Sequence, residues 1–74
     1  MQYRQFTAII ERETDGFVAL CPELDVASQG DSVGEARNNL VEAIELFLEY
    51  ASPQEIGRRL ATEFFITQVS VPIA

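Results

Sequence analysis

The stretch CPELDVASQGDSVGEA, residues 21–36, holds a proline, two turn signals and a helix start in close succession. Pro22 has no amide to give to a sheet ladder, so it ends the strand before it. LDVASQ, residues 24–29, supports a short third strand, with Leu24, Val26 and Ser28 on one side and Asp25, Ala27 and Gln29 on the other. Gly30 lets the chain turn out of that strand. Ser32 can cap the free amide of Glu35 while the Glu35 carboxylate returns to the Ser32 amide, a reciprocal pairing that starts a helix. Asp31 adds negative charge at the positive end of that helix. So much punctuation fits either a ligand-binding loop or a corner where a small sheet hands the chain to a helix. The corner accounts for it, because each of these residues has a local backbone task.

Working upstream, YRQFTAIIER at residues 3–12 places Phe6, Ala8 and Ile10 on one face and Tyr3, Thr7 and Ile9 on the other. This is the pattern of a strand with one face buried and the other partly covered. Thr14-Asp15-Gly16 marks a hairpin, since Asp-Gly tolerates the positive φ that tight hairpin turns demand. FVALC, residues 17–21, then returns antiparallel.

Downstream, Val33, Ala36, Leu40, Ile44, Phe47 and Leu48 form one helical stripe, with Glu35, Asn38, Glu42, Glu45 and Glu49 opposite. Val41, Ala43, Leu46 and Tyr50 widen the apolar arc beyond what one sheet face needs, which points to a contact between subunits. Ser52-Pro53-Gln54-Glu55 sets a second capping box around a proline at the first helical position. Ile56 and Leu60 lie four apart and predict a short helix over residues 53–61, weakened by Gly57. Arg58 and Arg59 point to different sides, as solvated or ion-paired residues do. TEFFITQVSVPI, residues 62–73, reads as a last strand: Phe65, Thr67, Val69, Val71 and Ile73 share a face, Phe64 and Ile66 begin the other, and Pro72 discourages pairing at the end. The expected architecture is a single α+β domain over residues 1–74 with the order β-β-β-α-(short α)-β. It comprises a three-stranded antiparallel meander, a helix across it and a returning strand.

A chain of 74 residues has a thin stability margin. With one cysteine and no histidine, neither a disulfide nor a zinc site can reinforce it. Its apolar fraction of 47% supplies a core and leaves material for an apolar surface, so a homo-oligomer, dimer or tetramer, is the expected way to enlarge the buried volume. Val41, Leu46 and Tyr50 on the helix, or Val69 and Val71 on the last strand, are the candidate interface. Twelve acidic residues against five arginines give a net charge of -7, which repels nucleic acid and attracts a basic protein. No stretch approaches the about 20 apolar residues needed to cross a bilayer, and charged residues interrupt the N-terminus before a signal peptide could form. A cytoplasmic protein with no membrane partner is therefore expected.

The residues also bear on catalysis. Without histidine there is no Ser-His or Cys-His pair and no imidazole metal ligand. Cys21 reads as a small buried hydrophobe, because its neighbours Pro22 and Glu23 offer nothing to stabilise a thiolate. Glu23, Asp25 and Asp31 lack the spacing of a calcium loop and read as solvated carboxylates. Gly30 and Gly34 come without the lysine of a phosphate loop. No catalytic, metal or cofactor site is expected. Glu42 and Glu49, with Glu35, form a solvated stripe or a dock for a basic partner.

The order Asp15-Gly16-Phe17-Val18, then Cys21-Pro22-Glu23-Leu24, then Gln29-Gly30-Asp31-Ser32 and a helix carrying Glu35-Ala36 resembles the HicB-like antitoxin family. The resemblance covers residues 3–50 and extends to the last strand; Asp25-Val26-Ala27 departs from the Pro-Gly-Cys often found there in that family. It implies a partial ribonuclease H-like fold without that fold's catalysis. It also implies a protein that neutralises a small basic messenger-RNA-cleaving toxin, HicA, by covering its active surface. Many members carry a separate DNA-binding domain; these 74 residues hold none, so promoter binding is not expected. A stand-alone oligomeric scaffold or regulatory domain is the alternative.

Overall fold

The computed structural model describes residues 2–74, leaving only Met1 of the expected domain outside it. Three strands, β1 (Ile9–Glu13), β2 (Gly16–Cys21) and β3 (Val26–Gly30), form an antiparallel meander in the order β1-β2-β3. Two helices follow, α1 (Val33–Tyr50) and α2 (Pro53–Leu60). The register pairs Ile10 with Ala19 and Ala19 with Ser28, so the apolar residues of alternating parity meet on one face. α1 packs on that face. Ala19, Cys21, Leu24, Ala36 and Leu40 make the fully buried core, with Phe6, Ile10, Phe17, Val26, Ile44, Phe47 and Leu60 partly buried around it.

The hairpin forms where Asp-Gly predicts it, with a different internal geometry. Glu13 pairs with Gly16, so the two loop residues are Thr14 and Asp15. The positive φ falls on Gly16 (155°) and not on Asp15. A Cβ there would also lie 2.6 Å from the Gly30 carbonyl oxygen. Gly30 itself closes β3 and is not a turn residue. Its missing side chain lets α1 sit against the sheet, because a Cβ would meet the Ala36 amide nitrogen at 2.5 Å. The expected turn out of the strand at Gly30 is thus a close approach that admits the helix.

Both caps form. The Ser32 hydroxyl accepts from the Glu35 amide at 3.0 Å and the Ser52 hydroxyl from the Glu55 amide at 3.1 Å, with Pro53 opening α2. Neither box closes reciprocally. The Glu35 carboxylate accepts from the Asp31 amide at 3.2 Å, one residue beyond the expected Ser32. Glu55 turns instead to Arg58 and Arg59, whose guanidinium charges outcompete a backbone amide. The apolar stripe of α1 is narrower than its periodicity predicts. Ala36 and Leu40 are buried, whereas Val33 is 50% exposed and Leu48 37%. α1 lies mainly over β3 and β2 and barely reaches β1, so a single three-stranded sheet cannot cover its whole arc.

Three expected strands change. The first begins at Ile9 and not at residue 3, because the Thr7 amide is taken by the Glu23 side chain and not by a ladder. The third spans Val26–Gly30 and not residues 24–29, because Leu24 and Asp25 belong to the turn after Pro22, where Asp25 takes φ 54°. The returning strand over residues 62–73 does not form. Residues 63–74 have no pairing partner in the sheet, and Phe65, Val69, Val71 and Ile73 are between 71% and 92% exposed. A strand needs a neighbour to take its backbone groups, and among the described residues none pairs with this segment. The topology is β-β-β-α-α.

Candidate functional site

The turn from β2 to β3, Pro22 to Asp25, gathers a group of long-range side-chain contacts. Cys21 and Leu24 are completely buried, and between them the chain presents Glu23. Its carboxylate accepts from the Thr7 amide at 3.0 and 3.2 Å and from the Thr7 hydroxyl at 2.7 Å. The Cys21 thiol donates to the same carboxylate at 3.5 Å. Glu23 therefore clamps the segment before β1 to the far end of β2. Asp25 completes the turn with φ 54°, a left-handed conformation that short polar side chains accept.

The turn is held from the other side by α2. Arg59 donates to the Leu24 carbonyl, pairs with Glu55 at 2.9 Å and stacks over the Phe47 ring at 4.5 Å. One guanidinium thus ties the turn, α1 and α2 together, using its planar fork and its flat face at once. Arg58 pairs with the same Glu55. The expectation of ion-paired arginines is met, but the role of Arg59 is larger than its local sequence signals. Its partner Leu24 lies 35 positions away.

The electrostatics follow from these contacts. Burial raises the Glu23 pKa, but the hydrogen bonds from the Thr7 hydroxyl and amide outweigh it, and the net shift is downward. The two arginines lower Glu55 through their hydrogen bonds. Burial raises the Cys21 thiol, and the adjacent Glu23 charge pushes the same way, which keeps it protonated and poorly nucleophilic.

The motif residues fall into two groups at opposite ends of the sheet. Asp15, Gly16, Gln29, Gly30, Asp31 and Glu35 border one open depression, formed by the hairpin tip and the start of α1. Pro22, Glu23 and Leu24 border another with Asp25, Arg58, Arg59 and Phe64. Asp31 is thereby separated from Glu23 and Asp25, so the three carboxylates do not converge. Among the described residues no group of three or more His, Cys, Asp or Glu is arranged to hold a metal ion. Ser32 and Ala36 serve the helix start, the first as cap and the second in the core.

Glu42 and Glu49 are exposed along α1, as are Val41 (45%), Leu46 (55%) and Tyr50 (78%). Val69 and Val71 lie far from this face in sequence, on the unpaired C-terminal segment. No described helix is long and apolar enough to cross a membrane. What fold and surface define is a small α+β domain with one helix-covered sheet face, an acidic and apolar helix surface and an unpaired apolar C-terminal segment.

Comparison with known proteins places this domain in a family. The chain is 39% identical over 70 residues to the UPF0150 protein ssl0738 of Synechocystis, a match that covers 92% of this chain and 96% of that protein. It is 46% identical over 50 residues to the UPF0150 protein ssr1765 of the same organism, covering 65% of this chain and 63% of the relative, just under two thirds of its length. The chain belongs to the UPF0150 family. No family model matches it, and no solved structure does.

Proposed function

We propose that this protein is a non-catalytic interaction domain of the HicB-like antitoxin kind, acting in the cytoplasm on a small basic HicA-like ribonuclease. The observation that carries this reading is the outer face of α1, where Glu42 and Glu49 stand exposed beside Val41, Leu46 and Tyr50. Apolar residues framed by carboxylates suit a basic protein surface, which would be steered in by the net charge of -7 and then desolvated over the apolar strip. The same field disfavours direct binding of RNA or DNA. The sequence motifs shared with HicB-like antitoxins support the choice of partner, and the family's partial ribonuclease H-like fold belongs to the same proposal.

The test is a titration of a small basic messenger-RNA-cleaving toxin with the purified protein. Stoichiometric inhibition that weakens with added salt and with Glu42→Lys plus Glu49→Lys is the expected result. Inhibition indifferent to both the charge reversal and salt would remove the electrostatic basis. If no basic ribonuclease is bound at all, a stand-alone scaffold takes the place of the antitoxin reading. The unpaired C-terminal segment favours that alternative, because it offers a route to assembly that needs no toxin.

A further inference from the structure

We infer that residues 63–74 form an exchange arm, which leaves its own chain and adds as a strand to the β1 edge of a second copy, with the second copy returning its own arm. The inference stands apart from the choice of toxin or scaffold, since it concerns this chain and its own duplicate.

Three observations carry it. The first is the arm itself. FFITQVSVPI alternates apolar and polar positions as a half-buried strand does, yet its residues have no sheet partner and Phe65, Val69 and Ile73 stand more than 80% exposed. Such a run of exposed apolar side chains marks a surface that is covered in the working assembly. Its direction is set at the root, because Leu60 packs on the core and Arg59 is anchored to Leu24 and Phe47. From there the chain extends away. The radius of gyration is 14.5 Å, against about 11 Å for a compact chain of this length, and the longest dimension of 49 Å is far greater than the others at 28 and 22 Å.

The second observation is the receptor. Of the two sheet edges, β3 is the more obstructed: the Asn39 side-chain amide donates to the Gln29 carbonyl at 2.8 Å, and Gly30 lies against the Ala36 backbone. β1 pairs with β2 and, among the described residues, with nothing else. An uncovered edge is a template for another strand.

The third is the missing cover. α1 sits over β3 and β2, leaving Ile10 of β1 and Phe6 just before it only partly buried. A strand added at β1 would bring one row of arm residues, Phe65, Val69 and Val71, toward that flank and leave Gln68 and Ser70 on the other side. Arm and edge are thus complementary in backbone and in side-chain pattern. A reciprocal exchange gives each copy a fourth strand in a closed two-fold assembly, with the arm as the new edge and Pro72 discouraging further pairing there.

The experiment uses the full chain. Light scattering across micromolar concentrations should give at least twice the 8.3 kDa chain mass. In a sample mixed from differently isotope-labelled chains, contacts between residues 65–71 and residues 9–13 should appear between chains. Val69→Pro, which removes an amide and bends the strand, should weaken assembly at least tenfold, while Glu45→Gln should leave it unchanged. A monomeric mass, arm contacts confined to one chain, or an assembly whose arm amides exchange freely with solvent would each overturn the proposal. The last outcome would move the interface to Leu46 and Tyr50. None of these readouts involves a toxin, so failure here and failure of the antitoxin reading are separate events.

Discussion

The turn at residues 22–25 and the arm at residues 63–74 are both irregular by backbone, yet they differ in every energetic respect. In the turn, Leu24 is fully buried, Glu23 accepts from two Thr7 donors and the Leu24 carbonyl accepts from Arg59. In the arm, which has the stronger strand composition, the apolar side chains face solvent. Irregular segments hold their shape when their polar groups find partners and one side chain is driven into a core. Strand-like composition does not substitute for either condition. The turn is completed within one chain, and the arm has its complement elsewhere.

That contrast can be broken most severely at Leu24. Replacing it with Ala should cost about 3 kcal/mol by urea denaturation, from lost burial and the cavity left behind. For a domain of this size, with a total of about 4–10 kcal/mol, that is a large fraction of its stability. A loss below about 1 kcal/mol would mean that the turn is not part of the core.

Gly30→Ala should cost about 2 kcal/mol, since the new methyl meets the backbone of Glu35 and Ala36 and α1 must shift to accommodate it. Gly34→Ala makes the matched control: nothing lies within 4 Å of a Cβ there, so its effect should be neutral or slightly stabilising. Equal effects at the two sites would show that helix and sheet are not held in close contact at Gly30.

Glu23→Gln should cost about 1–2 kcal/mol at neutral pH by removing the charge that Thr7 serves. The pH dependence has a definite sign. The Glu23 carboxyl is held below its ordinary value of 4.5, so its contribution is present above that value and is lost as pH falls through the lowered one. Wild-type protein should therefore lose stability on acidification through this range more steeply than the glutamine variant. Parallel acid limbs would exclude the clamp as a source of pH sensitivity.

The smallest effect should come from the arm. Val71→Ser should change stability by less than about 0.5 kcal/mol in dilute protein, where the arm is solvated. At high concentration the wild type should melt later than when dilute, while Val71→Ser shows a weaker dependence, because assembly adds stability by mass action. Concentration-independent melting of the wild type would argue against any role for the arm in assembly.

Much of the body was legible because its signals are local. Ser32, Ser52 and Pro53 announce helix starts through contacts within four residues, and Pro22 ends β2 because it carries no amide. The hairpin was legible from Asp15-Gly16, although the loop centre moved by one residue. The clamp was not, since Thr7 and Glu23 are 16 positions apart and nothing near either residue names the other. The same applies to Arg59, whose neighbourhood shows only an exposed pair of arginines beside Glu55.

The sequence alone determined the order of the five elements up to Leu60, their capping serines, the acidic surface and the absence of histidine chemistry, because these follow from residue type and near-neighbour spacing. Tertiary structure decided where β1 begins, why Gly30 must lack a side chain and what Arg59 holds. It also decided that residues 63–74 have no strand partner in the three-stranded sheet of their own chain. Helical hydrogen bonds close within one segment and can be read from it. A strand's hydrogen bonds close on another segment, so periodicity can show that residues 63–74 are suited to pairing and only the fold can show whether a partner lies within reach.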